Sequence, residues 1–147
     1  MEELTKDKLL GIRDVIKTED ARINYLRGLI RIAECDADKS ASEEGFIYKI
    51  ADILGSPYSE ISKAESSLED EAYEKIHFET KQEKKLFLMQ ALYMCWLDND
   101  YSEAERDEIV TIGTELGIEA SELGIIETWI KQGIEWMRTG ATLLNLE

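Results

Sequence analysis

The sequence predicts an all-α protein, a compact bundle of about seven helices built from two duplicated helical units. Apolar residues recur at the three- and four-residue spacing of a helix. The 147 residues include one proline, and no stretch shows the alternation of a strand. In addition, residues 25–61 align without a gap with residues 87–123, and 11 of the 37 aligned positions are identical. A chain of this length forms a single domain, 1–147, around one core.

The first half of the chain contains four predicted helices. Thr18 is a suitable N-cap for the second of them, and Gly55 follows the third, since glycine readily takes the left-handed conformation that ends a helix. Pro57 suits the first turn of the fourth. The four helices are predicted over about 4–17, 20–36, 41–54 and from 56 onward.

The second half begins after an acidic connector, about 65–80, whose weak periodicity fits either a short helix or a linker. The second copy then opens with Thr80-Lys81-Gln82-Glu83, the pattern of a capping box. The last predicted helix ends before Gly140, and the apolar tail 141–147 is expected to pack on the bundle. The three helices of this half are predicted over about 81–97, 103–116 and 120–138.

The chain is strongly acidic, with 17 Lys and Arg against 32 Asp and Glu and a net charge of −15. Such a field repels nucleic acid and anionic membranes, and it attracts cations or a protein partner with a basic surface. No apolar run approaches the ~20 residues that span a bilayer, and no signal-peptide pattern is evident. Cys35 and Cys95 lack metal-site spacing and are expected to be reduced, buried helix residues. A cytoplasmic protein is expected.

The sequence predicts a non-enzymatic protein. His77 is the only histidine, and no nucleophile pattern, Gly-rich phosphate loop or H-E-x-x-H motif accompanies it. Three tryptophans and two methionines have helical spacing and are predicted to lie in the core, although Trp129 and Trp136, seven residues apart, could instead form an exposed seam for a partner. The full set is Met94, Trp96, Trp129, Trp136 and Met137.

The most informative motif, D-x-D-x-S-x-x-E, occurs over residues 36–43 and again over residues 98–105. Its S-x-x-E part is explained by a capping box without any ligand. The capping box does not explain the aspartates, because Asp36 and Asp98 fall near the C-terminal end of the preceding helix, where the helix dipole disfavours negative charge. An Asx turn or a bound cation would offset this cost.

Cation binding predicts ligands in both copies of the motif. Carboxylate and hydroxyl oxygens suit Ca²⁺ or Mg²⁺ rather than zinc. An EF-hand is excluded, because neither copy has the glycine at position six or the glutamate at position twelve of that loop. The candidate ligands are Asp36, Asp38, Ser40, Glu43, Asp98, Asp100, Ser102 and Glu105.

This pattern, placed between two helices and repeated in a small acidic all-α domain, resembles the TerB family, which is named for bacterial tellurite resistance. The likeness covers about residues 20–138, including Leu29–Asp36 and Leu116–Ile118. Onto the family motif D-G-x-[apolar]-S-x-x-E fall Asp36, Ser40, Glu43, Asp98, Ser102 and Glu105. The chain departs from the motif at the glycine (Ala37 and Asn99) and at the apolar position (Lys39 and Tyr101).

The resemblance implies a divalent cation held by these acids and a non-enzymatic role in a stress response or as a scaffold. Two alternatives remain open at this point. One is an acidic protein-interaction domain whose acids only cap helices and attract basic partners. The other is a metal-dependent hydrolase built on the acidic residues, since paired carboxylates can perform acid–base chemistry.

Overall fold

The computed structural model describes residues 15–35, 41–55, 58–69, 75–96 and 101–146. Within these ranges the chain forms helices and no strand, which confirms the all-α class. The predicted first helix, 4–17, lies almost entirely outside them. Across the described ranges no helix is both long and apolar enough to span a membrane. The helices are α1 (Glu19–Glu34), α2 (Ala41–Leu54), α3 (Tyr58–Glu69), α4 (Lys81–Trp96), α5 (Glu103–Glu115) and α6 (Ala120–Leu143).

The starts of the helices follow the spacing of the sequence repeat. Helices α4, α5 and α6 each begin 62 residues after α1, α2 and α3, as the starting pairs 19 and 81, 41 and 103, and 58 and 120 show. Helices α1 and α4 are also equally long, at 16 residues each. The order of elements in the two halves is therefore the same.

Local side-chain chemistry sets several of these boundaries. The Thr18 hydroxyl accepts a hydrogen bond from the Ala21 backbone N–H at 3.1 Å, so Thr18 is the N-cap of α1, as predicted. The Thr80 hydroxyl accepts from the Glu83 N–H at 3.1 Å, and a Glu83 carboxylate oxygen accepts from the Thr80 N–H at 2.9 Å. This pair is the predicted capping box, which satisfies two backbone donors at the start of α4.

Helices α2 and α5 are followed by glycines that occupy equivalent positions of the sequence repeat. Gly55 after α2 has a φ of +69°, and Gly117 after α5 has a φ of +76°. Glycine has no Cβ, so it adopts this left-handed conformation without steric cost. The prediction that Gly55 ends a helix is therefore confirmed.

The core is centred on the contact between α1 and α4. Tyr25 and Phe87 are both fully buried, and their rings meet edge to face at a centroid distance of 5.6 Å. Phe78, in the connector, adds a third ring 5.6 Å from Phe87. The described part of the connector, 75–80, is not helical, and it contributes Ile76 and Phe78 to the core.

Helix α6 differs from its prediction in length and in burial. It continues through Gly140 to Leu143, and the left-handed residue that follows is Asn145, with a φ of +55°. The tail does not pack on the bundle, since its leucines are 68–77% exposed. The core prediction holds for Met94 but is wrong for three exposed residues of α6, namely Trp129, Trp136 and Met137.

Candidate metal site

The second copy of the acidic motif lies between α4 and α5, and the structure describes its C-terminal part. Ser102 is the N-cap of α5, and its hydroxyl accepts a hydrogen bond from the Glu105 N–H at 3.1 Å. In return, Oε1 of Glu105 accepts from the Ser102 N–H at 3.1 Å. The predicted capping box is therefore present, and it fixes one oxygen of the Glu105 carboxylate.

The other oxygen of Glu105 is buried without a partner. The side chain is 1% exposed, and Oε2 forms no hydrogen bond within the described chain. No Lys or Arg of that part of the chain forms an ion pair with Glu105 either. A buried polar atom without a partner costs free energy, so native proteins nearly always supply one. A helix cap does not require this second oxygen to be buried.

Two further buried polar groups lie around this end of α4. The rings of Trp96 and Tyr101 are in contact, with centroids 5.2 Å apart. The Tyr101 hydroxyl and the Trp96 indole nitrogen are both buried without a hydrogen-bond partner among the residues described. Burial raises the pKa of the Tyr101 hydroxyl well above its usual range, and the nearby Glu127 carboxylate raises it further. Tyr101 is therefore a neutral hydroxyl at physiological pH.

The basic side chains of this region, Arg106 and Arg138, form contacts with groups other than Glu105. Arg138 of α6 donates to the Trp96 carbonyl at 3.2 Å, so it binds an unsatisfied carbonyl in the last turn of α4. Arg106 is half-exposed and pairs with Glu127 at 3.7 Å. These contacts connect α6 to the end of α4 and to the start of α5.

The first copy of the motif follows α1. Cys35 is the C-cap of that helix, and its thiol donates to the Ile32 carbonyl at 2.9 Å. Glu43 is the third residue of α2, as Glu105 is the third residue of α5, but its side chain lies outside the part that the structure describes. Five of the predicted ligands lie outside it entirely, namely Asp36, Asp38, Ser40, Asp98 and Asp100.

Of the eight predicted ligands, the structure thus brings together Ser102 and Glu105. The described residues contain no group of three or more His, Cys, Asp or Glu side chains arranged to hold a metal ion. The sequence places Tyr101 within the motif and Trp96 two residues before Asp98, but it did not predict that their rings would be in contact or that their polar atoms would be buried. The available signal was Tyr101 itself, which stands where the TerB motif has an apolar residue.

No protein-family model, curated protein or solved structure matches this chain. The resemblance to the TerB family therefore remains a hypothesis that rests on the motif residues.

Proposed function

We propose that this protein is a non-enzymatic binder of a divalent cation, Ca²⁺ or Mg²⁺, at its two D-x-D-x-S-x-x-E motifs. The observation that carries the proposal is the buried Oε2 of Glu105, which has no partner in the described chain. A cation bound there would supply the missing interaction, because carboxylate oxygens are the preferred ligands of both ions.

The capping box would prepare Glu105 for this role. The Ser102 N–H holds Oε1 at 3.1 Å, so the carboxylate is oriented before any ligand arrives. Such preorganisation lowers the entropic cost of binding. Asp98 and Asp100, which precede Ser102 in the sequence, would provide further oxygen ligands.

We infer that the chain consists of two duplicated helical units with one candidate site in each. The common offset of the helix starts supports this inference, as does the equal position of Glu43 and Glu105 in the first turns of α2 and α5. The TerB resemblance adds a cytoplasmic role in a tellurite-type stress response or as a scaffold.

The test is a titration of the purified chain with Ca²⁺, Mg²⁺ or Tb³⁺, followed by tryptophan fluorescence and lanthanide emission. Trp96 lies two residues before Asp98, so binding should change its emission. Glu105→Gln keeps an oxygen for the Ser102 N–H but removes the carboxylate. We expect it to weaken binding at the second motif at least about tenfold, a loss of about 1.4 kcal/mol, while the helical circular dichroism spectrum is retained.

The matched control is Glu83→Gln. Glu83 is also buried and also completes a capping box, with Thr80, but no D-x-D sequence precedes it. Its affinity for cations should equal that of the wild type. Absence of saturable binding at millimolar cation, or equal losses in the two variants, would refute the proposal.

An acidic protein-interaction domain without metal is the second candidate. The observation in its favour is that the capping box accounts for Ser102 and for Oε1 of Glu105 with no ligand. The net charge of −15 would then attract a basic partner surface. This function predicts salt-sensitive binding of a lysine-rich peptide that EDTA does not change.

A further inference from the structure

The outward face of α6 carries large apolar side chains that the described chain does not cover. Ile125, Trp129, Trp136 and Leu143 are 54–78% exposed. At 3.6 residues per turn, these four residues lie within an arc of about 80° together with Gly133 and Gly140. We call these six residues the apolar stripe.

The stripe cannot turn inward, because the opposite side of α6 is already packed. Leu123, Ile126 and Ile134 are 5–6% exposed and face the bundle. Lys81 and Lys85 of α4 also hold Glu122 in ion pairs of 3.4 and 3.1 Å. Rotation of the helix would expose one apolar face in order to bury the other.

The two glycines of the stripe have no explanation within the described chain. A Cβ added to Gly133 or to Gly140 would meet no atom within 4 Å, and neither residue has a positive φ. Glycine inside a helix lowers its stability relative to alanine. A surface that approaches α6 closely would explain this choice.

The stripe is complementary to itself. Trp129 precedes Gly133 by four residues, and Trp136 precedes Gly140 by four, so a bulky projection and a shallow depression alternate along one face. A surface that offers both can pair with its own copy across a two-fold axis, each tryptophan lying over a glycine of the other helix.

The charges near the stripe also favour a second copy. Residues 124–146 contain two acids, Glu127 and Glu135, and two bases, Lys131 and Arg138, and so carry no net charge. The chain as a whole carries −15, so two copies repel each other. Their approach costs least through this neutral segment, whereas a basic partner would be drawn to the acidic surface elsewhere.

The exposed apolar area supplies a substantial part of a dimer interface. A large aromatic side chain buries roughly 150–250 Å² when it is fully covered, and Trp129 and Trp136 are 54% and 78% exposed. With Ile125 and Leu143, which are 70% and 77% exposed, they form the apolar centre of a surface that must reach roughly 800 Å² on each partner of a standard interface. We propose that two copies of this chain associate through the apolar stripe of α6.

Sedimentation equilibrium of the 147-residue chain, in EDTA so that cation binding plays no part, tests the proposal. Over about 1–100 µM, a range that covers ordinary dimer affinities, the mass should rise from 16.8 kDa to twice that value. Trp136→Glu should keep the helical spectrum and remain monomeric throughout. The control is Val110→Glu, an exposed apolar residue on α5, and it should dimerise as the wild type does.

Replacement of the two glycines gives a second test, in which the stability of the monomer and the affinity of the dimer should change in opposite directions. In Gly133→Ala/Gly140→Ala the isolated helix should be more stable, so the melting temperature of the dilute monomer should rise. The added methyl groups should nevertheless weaken dimerisation at least about tenfold. A wild-type mass that stays at 16.8 kDa up to the highest concentration, or a Trp136→Glu variant that dimerises normally, would overturn the proposal.

Discussion

At the scale of single residues, Gly28 is the position where one added methyl group should matter most. A Cβ there would lie 2.4 Å from two atoms of the Phe87 ring. Phe87 cannot move aside easily, because it is fully buried and packs against Tyr25 and Phe78. Gly28→Ala should therefore lower the free energy of unfolding by about 1–3 kcal/mol, as measured by urea denaturation.

Gly45 provides the matched control for this substitution. It also lies within a helix, α2, but a Cβ there would meet nothing within 4 Å. Gly45→Ala should be neutral or should stabilise the protein by up to about 1 kcal/mol, because alanine is the better helix former. If the two substitutions changed the free energy of unfolding equally, the close packing of Gly28 against Phe87 would not be what determines the stability at this position.

Single residues also show which features a sequence can reveal. The caps at Thr18, Thr80 and Ser102 were predictable, because a cap depends on residues three positions apart. The burial of Oε2 of Glu105 was not. It depends on how the residues around the start of α5 pack in three dimensions, and an S-x-x-E pattern carries no information about that.

At the scale of the helices, the contact between α4 and α6 should depend on pH. Glu122 of α6 accepts from Lys85 at 3.1 Å, and this hydrogen bond, with the charge of Lys81, lowers the pKa of the Glu122 carboxyl. A carboxyl whose pKa is lower in the folded state stabilises the fold above its unfolded-state pKa. The stabilisation is lost as the pH falls through the folded-state pKa.

Glu122→Gln should therefore lower the melting temperature at neutral pH, and its effect should shrink as the pH falls below about 4, the ordinary pKa of a glutamate. Thermal unfolding followed by circular dichroism across this range measures the difference. Glu65→Gln, at an exposed position on α3, is the control and should leave the melting temperature unchanged at both ends. A deficit in Glu122→Gln that persisted at low pH would indicate a loss of packing instead.

Helix α6 shows the limit of hydrophobic periodicity. The pattern correctly predicted a helix, but apolar residues lie on both of its sides, with Ile126 and Ile134 inside and Trp129 and Trp136 outside. Periodicity cannot say which side faces the core, because that depends on the neighbouring helices. Gly140 failed as a stop signal for a similar reason, since glycine also accepts helical dihedral angles and the chain turned at Asn145 instead.

At the scale of the whole molecule, the two halves meet through equivalent positions. Tyr25 and Phe87 occupy the same place in the repeat, 62 residues apart, and their rings are in direct contact at the centre of the core. Arg31 of α1 crosses between the halves and pairs with Glu108 and Glu115 of α5. One core therefore serves both halves, and we expect neither half to fold alone.

The net charge of −15 affects the stability of the whole fold. Like charges held in a compact fold repel each other, and salt screens that repulsion over about 10 Å at 0.1 M. The melting temperature should therefore rise as NaCl is increased from about 0.01 to 0.3 M. Because screening does not depend on one carboxylate, the wild type and Glu105→Gln should respond alike.

A specifically bound cation should behave differently from screening. At matched ionic strength, Mg²⁺ or Ca²⁺ should raise the melting temperature of the wild type above its value in NaCl, because a ligand that binds only the folded state stabilises it. The additional rise should be smaller in Glu105→Gln, which keeps the first motif but lacks the buried carboxylate. If the two salts acted equally on both proteins, the acidic surface would be binding cations only as a diffuse atmosphere.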